Sequence, residues 1–193
     1  MPPTLIASGI PELLPMVRTG APGAHVSAII RSICIRMKHF EDSEDGPSQT
    51  RLELGCAFED AVVDGLKRRH VAHDPDRYCS PGQLELDGLF GTPDLLDVTD
   101  WAIVEIKLTW LSSRHDPESI KFWKYWVQIK AYCKMVHTLV GRLHVGHING
   151  NYRGGDPEYN VWEWRFTQQE LDENWAMLLT HAAVMKREVR EAP

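Results

Sequence analysis

The amino-acid sequence predicts an α/β fold in which a mixed sheet of about five strands is flanked by helices. Segments of strand length, rich in β-branched and aromatic residues, lie at 83–90, 94–98, 101–108, 139–148 and 159–166. Segments with apolar residues at helical spacing lie at 25–40, 49–70, 116–138 and from 168 onward. The two kinds follow one another as helix, strands, helix and strands, an order typical of α/β proteins.

The composition is that of a globular protein. With 193 residues, 25% of them charged and 43% hydrophobic, the chain can bury a substantial core as a single domain over 1–193. The net charge of −6 argues against a broad non-specific coat on nucleic acid, although local basic patches can still contact phosphates. No apolar run approaches membrane-spanning length and the N-terminus lacks a charged-then-apolar signal segment, so we expect no membrane association and a cytoplasmic location.

The cysteines show no metal-binding pattern. The four cysteines are widely scattered, at Cys34, Cys56, Cys79 and Cys133. They form no C-x-x-C pair and no zinc-ligand spacing, which indicates reduced thiols in a reducing compartment.

The N-terminal part begins with an irregular arm. Residues 1–24 are rich in proline and glycine and leave room for one short helix at 11–17. The helix predicted at 25–40 carries basic residues off its apolar stripe, Arg31 among them. Arg31 could hold a phosphate beside an active site, or it could simply be solvated. Residues 41–48 are acidic and polar and form a loop.

The helix at 49–70 carries a glycine and an acid one turn apart. Its apolar stripe includes the segment Gly55-Cys56-Ala57-Phe58-Glu59. If no other motif accompanied it, Glu59 would be interpreted as an ordinary surface glutamate. Glu53 is the alternative candidate on this helix for an acid at a functional site. The basic end of the helix at 67–70 suits the helix dipole and could also contact DNA.

The central feature of the sequence is the stretch 91–109, which predicts two strands joined by a turn at 99–100. Side chains alternate along a strand, so Glu105 and Lys107 leave one face and Ile106 the other. Asp94 opens the first strand. Asp97 is the alternative candidate for the acid that acts with Glu105. It follows Asp94 by three residues and therefore projects from the opposite face of the strand, so we favour Asp94 for this role.

The strand at 101–108 looks buried and yet contains an acid and an amine. Buried charges are costly unless they are paired or bind a metal. Glu105 and Lys107 could form an ordinary salt bridge. With Asp94 on the neighbouring strand, two carboxylates could share a hard cation while the lysine positions a water.

A loop and a helix follow this hairpin. In the loop at 109–115, Trp110 could stack on a base or pack on the sheet. Asp116 then predicts an N-cap for a helix that runs to 138. Gln128 and Tyr132 lie one turn apart on one face of this helix, and Lys121 and Lys124 extend that polar face as candidate phosphate contacts.

The C-terminal part predicts two strands and a covering helix. The strands at 139–148 and 159–166 are joined by a glycine-rich turn at 149–157. Thr167 and Glu170 form a capping box for the last helix.

Three ordered motifs resemble those of the PD-(D/E)xK nuclease superfamily, in its RecB-like and phage recombination exonuclease branch. They are Gly55-x-x-x-Glu59, Pro93-Asp94 with ten residues before Glu105-Ile106-Lys107, and Gln128-x-x-x-Tyr132. The resemblance spans about 55–132 and implies a restriction-endonuclease-like core. Some RecB-like relatives carry an iron–sulfur cluster on clustered C-terminal cysteines. This chain has no cysteine after Cys133, so we expect no iron–sulfur cluster.

The resemblance also implies a divalent metal site. Asp94, Glu105 and the backbone carbonyl of Ile106 would bind Mg²⁺ or Mn²⁺. Glu59 would complete the site directly, through water, or at a second metal.

The remaining motif residues would act on the substrate. Lys107 would orient the attacking water, and its pKa should fall beside a bound cation. Gln128 and Tyr132 would place the scissile phosphate.

The function implied is a metal-dependent deoxyribonuclease that hydrolyses phosphodiester bonds, acting as an exonuclease on DNA ends or single strands in recombination or repair. The alternatives are a structure-selective endonuclease, a non-catalytic nucleic-acid-binding module on a nuclease fold, and another α/β enzyme in which the motif is accidental. The partner expected is DNA. A recombinase or single-strand annealing protein, a homo-oligomer and, for a phage-encoded protein, the host cytoplasm are further expectations.

Overall fold

The structure, a computed structural model, describes residues 24–37, 49–70, 74, 76–154 and 156–191. The predicted helix at 11–17, the loop at 41–48 and all but residue 24 of the predicted arm lie outside the described residues. The elements in chain order are β1 (Ala24–His25), α1 (Val26–Met37), α2 (Gln49–His70), β2 (Tyr78–Cys79), β3 (Leu84–Leu86), β4 (Leu89–Gly91), β5 (Leu95–Asp97), β6 (Ala102–Thr109), a 3₁₀ turn (Ile120–Phe122), α3 (Trp123–Val136), β7 (Val140–His147), β8 (Glu158–Arg165) and α4 (Gln168–Glu191).

The main sheet has five strands in the order β2-β5-β6-β7-β8. Within this sheet β6 and β7 pair in parallel, and the other neighbouring strands pair antiparallel. A parallel pair needs a crossover connection, which α3 supplies between these two strands. The predicted α/β fold with a mixed five-stranded sheet flanked by helices is thus confirmed.

A second, smaller sheet corrects one prediction. The segment at 83–90 is not a strand of the main sheet but most of a hairpin, with β3 and β4 joined at Asp87 and Gly88. Both turn residues have positive φ, 51° and 75°, as the tight turns that match strand twist require. β4 also pairs in parallel with β1, so the small sheet has the order β1-β4-β3.

The two faces of the main sheet bury different groups. On one face the side chains of β6 and β7 pack on α3, and α1 and α4 pack on α3 in the same larger hydrophobic cluster. On the other face Leu95, Val104 and Ile106 pack against Phe58 and its apolar neighbours on α2. Alternation along β6 therefore turns Glu105 and Lys107 toward the α3 side of the sheet.

Helix α3 begins at Trp123, later than the predicted start near residue 116. Asp116 is not its N-cap: its Oδ1 accepts a hydrogen bond from the Glu118 N–H at 2.8 Å in a separate turn. The buried Trp126 donates its Nε1–H to the Pro117 carbonyl at 2.7 Å, so a side chain and not a helical N–H hydrogen-bonds this carbonyl. Lys121 consequently lies in the 3₁₀ turn. The capping box is confirmed, because the Thr167 and Glu170 side chains each accept the other's backbone N–H.

A buried carboxylate holds the far end of the hairpin together. Asp97 is fully buried and accepts hydrogen bonds from Arg77 Nη2 at 2.8 Å and Arg142 Nη1 at 2.6 Å. Burial opposes its charge, but the hydrogen bonds from Arg77, from the Asp100 N–H and from Arg142 hold the pKa of Asp97 below its usual value. Asp97 is thus a structural residue on the α2 side and not a second candidate for the site of Glu105 and Lys107.

His144 is buried on the α2 side of β7 and gives the fold a pH dependence. Its Nδ1 lies 2.6 Å from the Tyr159 hydroxyl oxygen. Burial, with the charge of Arg142 beside it, lowers the pKa of His144 to about 4. An unfolded histidine titrates near pH 6.5, so the unfolded chain binds a proton between about pH 6.5 and 4 that the folded chain does not.

The free energy of unfolding is therefore expected to fall as the pH drops from about 6.5 toward 4, and His144→Gln should remove part of that fall. Urea unfolding at pH 7 and pH 4.5 measures both proteins. The wild type should lose about 2 kcal/mol more than the variant between these pH values. Equal losses would contradict the role given to His144.

Within the ranges described, none of the helices combines the length and hydrophobicity that a bilayer crossing requires.

Candidate active site

The hairpin β5–β6 places Asp94 beside the E-x-K strand. The pairing of Leu95 with Val104 puts Asp94 level with Glu105. Asp94 Oδ2 accepts a hydrogen bond from the Ile106 N–H at 2.7 Å. This backbone bond fixes the carboxylate at the start of its strand.

Lys107 joins the two carboxylates. Its Nζ donates to Glu105 Oε1 and lies 3.7 Å from Asp94 Oδ2. Glu105 is fully buried, while the Lys107 side chain keeps 22% of its surface exposed. Three of the predicted catalytic residues, Asp94, Glu105 and Lys107, thus meet in space.

The electrostatics of this group follow from burial and mutual proximity. Burial, and then the charge of Asp94, raise the pKa of Glu105 to about 8. Burial works against the charge of Lys107, but Glu105 and Asp94 outweigh it and raise the pKa of Lys107. Lys107 therefore stays protonated beside these two acidic side chains.

Glu59 lies on α2. Its charge is the smallest of the causes that act on the pKa of Glu105 and on that of Lys107, and its role as a metal ligand stays a prediction. It is half-buried on the helix that covers the α2 side of the sheet. A Cβ added at Gly55 would meet no atom within 4 Å among the described residues, so close packing does not explain this glycine.

Gln128 and Tyr132 form a hydrogen-bonded pair on α3. The Gln128 amide donates to the Tyr132 hydroxyl at 2.9 Å. Tyr132 is 3% exposed, and burial, with the charge of Glu105, raises its pKa, so its phenol stays neutral near the carboxylates. The predicted polar stripe is corrected here: Tyr132 is a buried side chain, and Lys121 is not on the α-helix.

Tyr132 also explains a small residue in β4. A Cβ at Gly91 would lie 2.6 Å from Tyr132 Cε1, so the ring packs directly on the glycine backbone. This contact joins segments 41 residues apart in the sequence, and no local pattern predicted it.

The oxygen atoms present suit a hard divalent cation. Glu105 Oε2 is buried and has no hydrogen-bond partner among the described residues. A buried carboxylate oxygen left unsatisfied is costly, and carboxylate oxygens are the ligands that Mg²⁺ and Mn²⁺ prefer. The described residues contain no group of three or more His, Cys, Asp or Glu arranged to hold a metal. The fit thus rests on Asp94 and Glu105, and the ligand role of the Ile106 carbonyl stays a prediction.

The predicted nucleic-acid contacts are spread around the fold. Arg31 is exposed on α1, Lys121 Nζ lies 3.0 Å from His115 Nε2, and Lys124 Nζ lies 5.7 Å from the Tyr125 ring centroid. Trp110 lies under the Arg51 guanidinium, with 4.9 Å between Cζ and the ring centroid. No local sequence pattern predicted that Arg51 would contact Trp110.

Comparison with solved structures shows the fold. An alkaline exonuclease from Laribacter hongkongensis superimposes with a TM-score of 0.52 over 87% of this chain and 90% of its own, at 14% identity, and has also been solved in complex with dAMP. A phage-related exonuclease from Haemophilus somnus 129PT gives a TM-score of 0.52 over 81% of this chain and 78% of its own, at 13% identity. The chain shares the fold of these exonucleases. No protein-family model matches the sequence, and no curated protein matches it.

Proposed function

We propose that this protein is a metal-dependent nuclease that hydrolyses phosphodiester bonds in DNA. One observation carries the proposal: Asp94, Glu105 and Lys107 converge on one side of the sheet, and Glu105 Oε2 is buried without a hydrogen-bond partner in the part of the chain that the structure describes. Two carboxylates and a protonated amine in one partly open group are what cation-assisted hydrolysis of a phosphodiester needs.

We further propose that the protein acts as an exonuclease. Structures of two exonucleases align over most of this chain. At this level of identity the likeness concerns the fold, so the activity is argued from the site. We propose action on DNA ends or single strands, in recombination or repair as for phage enzymes.

The metal would be held by carboxylate and carbonyl oxygens of the chain. Asp94 and Glu105 would bind Mg²⁺ or Mn²⁺ with the Ile106 carbonyl, and Glu59 would complete the site directly, through water or at a second ion. When bound, such an ion polarises a phosphate and lowers the pKa of a coordinated water.

The other residues would bind and orient the substrate. Lys107, which is protonated and 22% exposed, would hydrogen-bond the attacking water and stabilise the negative charge that develops on the phosphate. The neutral Tyr132 hydroxyl, fixed by Gln128, would donate a hydrogen bond toward the scissile phosphate.

The form of DNA attacked is tested with end-labelled substrates. Linear duplex, single-stranded and closed circular DNA would be incubated with Mg²⁺, Mn²⁺ or EDTA. The proposal predicts metal-dependent loss of the linear forms with circles untouched, and the labelled end gives the polarity. Cut circles would make the protein an endonuclease.

Divalent metal is expected to raise the melting temperature of the wild type and not that of Glu105→Gln. A ligand that binds only the folded state at about 100 times its Kd stabilises that state by about 2.7 kcal/mol. Glu105→Gln keeps the shape of the side chain but removes the anionic oxygens. Differential scanning fluorimetry with Mn²⁺ in excess against EDTA measures this without any substrate. Equal metal-induced shifts in both proteins would remove Glu105 from the metal site.

A second candidate function is a non-catalytic nucleic-acid-binding module on a nuclease fold. The observation that favours it is the position of Lys107, whose ammonium already lies between the two carboxylates. A protein that binds DNA, shows no metal-induced shift and cleaves none of the three substrates would support this candidate.

The cellular setting belongs to the proposal as well. We propose DNA as the partner, a cytoplasmic location, and a recombinase or single-strand annealing protein or a second copy of the chain as candidate partners. That residues 1–193 form one nuclease domain, without an iron–sulfur cluster, also stays a prediction.

A further inference from the structure

Two connections meet at the end of the sheet where Lys107 lies. The segment after β6 and the turn after β7 are joined by backbone hydrogen bonds, from the Ile148 N–H to the Thr109 carbonyl and from the Ser113 N–H to the Gly150 carbonyl, each at 3.0 Å. These connections follow the carboxyl ends of the two parallel strands. In open α/β sheets this edge is where ligands bind.

A cation and two aromatic side chains are assembled on this edge from three distant segments. Arg51 of α2 lies over the Trp110 ring, with its Cζ 4.9 Å from the ring centroid. Tyr152 of the turn after β7 donates its hydroxyl to the Trp110 backbone carbonyl. Trp110 is thus the central member, supporting the guanidinium through its ring and the tyrosine through its backbone.

Both outer members are available to a ligand. Tyr152 is 60% exposed and Arg51 is exposed. Among the described residues, no carboxylate lies within salt-bridge distance of Arg51. An exposed guanidinium stacked on an aromatic ring offers a flat face to a base and donors to a phosphate.

We propose that Arg51, Trp110 and Tyr152 form a platform that binds an unpaired strand of the nucleic-acid substrate. This inference rests on the proposed nuclease function and names how its substrate is held. Unpaired bases stack on aromatic rings and guanidinium planes without sequence preference, while cations contact the backbone. A duplex keeps its bases stacked on each other, so the platform favours single strands.

Trp110 lies just beyond the end of β6, three residues after Lys107, so the platform and Lys107 belong to the same end of the sheet.

The test measures binding without hydrolysis. Fluorescence anisotropy in EDTA would follow 5′-fluorescein-labelled dT12 and a blunt duplex of the same length with the full chain. Trp110→Ala and Arg51→Ala are compared with matched controls at the opposite end of the sheet, Trp101→Ala just before β6 and Arg165→Ala at the end of β8. Trp101 is 49% exposed, and the Arg165 side chain is 77% exposed.

Each platform variant should weaken dT12 binding by about tenfold and duplex binding by less, while both controls bind as the wild type does. Arg51→Ala should also reduce the slope of log K against log salt by about 0.7, the value for one phosphate contact on a single strand. Because Trp110 holds Arg51, the double variant should lose less than the product of the two single losses.

The outcomes separate this inference from the nuclease proposal. Wild-type affinity in both platform variants, or equal losses on dT12 and duplex, would overturn the platform and leave the nuclease proposal standing. A wild-type protein that neither binds nor cleaves nucleic acid would overturn both.

Discussion

Replacing Lys107 with alanine is expected to reduce DNA cleavage by at least about a hundredfold to a thousandfold, the usual loss when a preorganised donor to the transition state is removed. Lys107 is the protonated amine shared by Glu105 and Asp94, so its removal takes away the charge that would meet the phosphate. The rate of product release from end-labelled linear DNA in saturating Mn²⁺ measures the effect.

The control for this variant must separate lost chemistry from lost folding. Lys134→Ala removes a lysine of α3 that pairs with Asp172 of α4, and this variant should cleave at the wild-type rate. Lys107→Met, which retains most of the side-chain volume, should fail to cleave while still unfolding cooperatively on heating, as circular dichroism would show. A folded Lys107→Met that cleaves as the wild type does would remove Lys107 from the mechanism.

Replacing Asp97 with alanine is expected to lower the free energy of unfolding by about 3–5 kcal/mol, more than replacing Asp100 or His144. The substitution leaves Arg142 Nη1 and Arg77 Nη2 without their buried acceptor, and it removes the acceptor for the Thr99 and Asp100 N–H groups. Urea denaturation followed by circular dichroism measures the change.

Two further variants keep this prediction testable if the alanine variant does not fold. Asp97→Asn retains an oxygen for the turn N–H groups and should lose less stability than alanine. Asp100→Ala removes a half-exposed partner of the same arginines and should cost about 1 kcal/mol or less. An Asp97→Ala protein as stable as Asp100→Ala would show that the buried carboxylate does not hold the hairpin end together.

Local patterns in the sequence predicted the elements that local interactions decide. The helix at 49–70 and the strands β7 and β8 were visible because their apolar residues follow helix or strand periodicity. The hairpin 91–109 and the placing of Asp94, Glu105 and Lys107 on one side followed from alternation and from one short turn.

The parts that the sequence did not predict depend on contacts between distant segments. Near the start of α3, the Trp126 side chain donates a hydrogen bond to the Pro117 carbonyl, a contact that no spacing rule predicts. The hairpin β3–β4 leaves the main sheet because it pairs with β1, more than 50 residues earlier. No spacing rule connects Arg51 with Trp110, since α2 meets the end of β6 only in the folded chain.

The most direct test of the account is cleavage of end-labelled linear DNA by the wild type and by Asp94→Asn, purified identically. Asp94→Asn keeps the side-chain shape and an oxygen for the Ile106 N–H but removes the charge proposed to bind metal. We predict that the wild type degrades the DNA with Mn²⁺ and not with EDTA, and that the folded variant is inactive in both. Equal cleavage by the two proteins, or no cleavage by the wild type with any divalent ion, would contradict it.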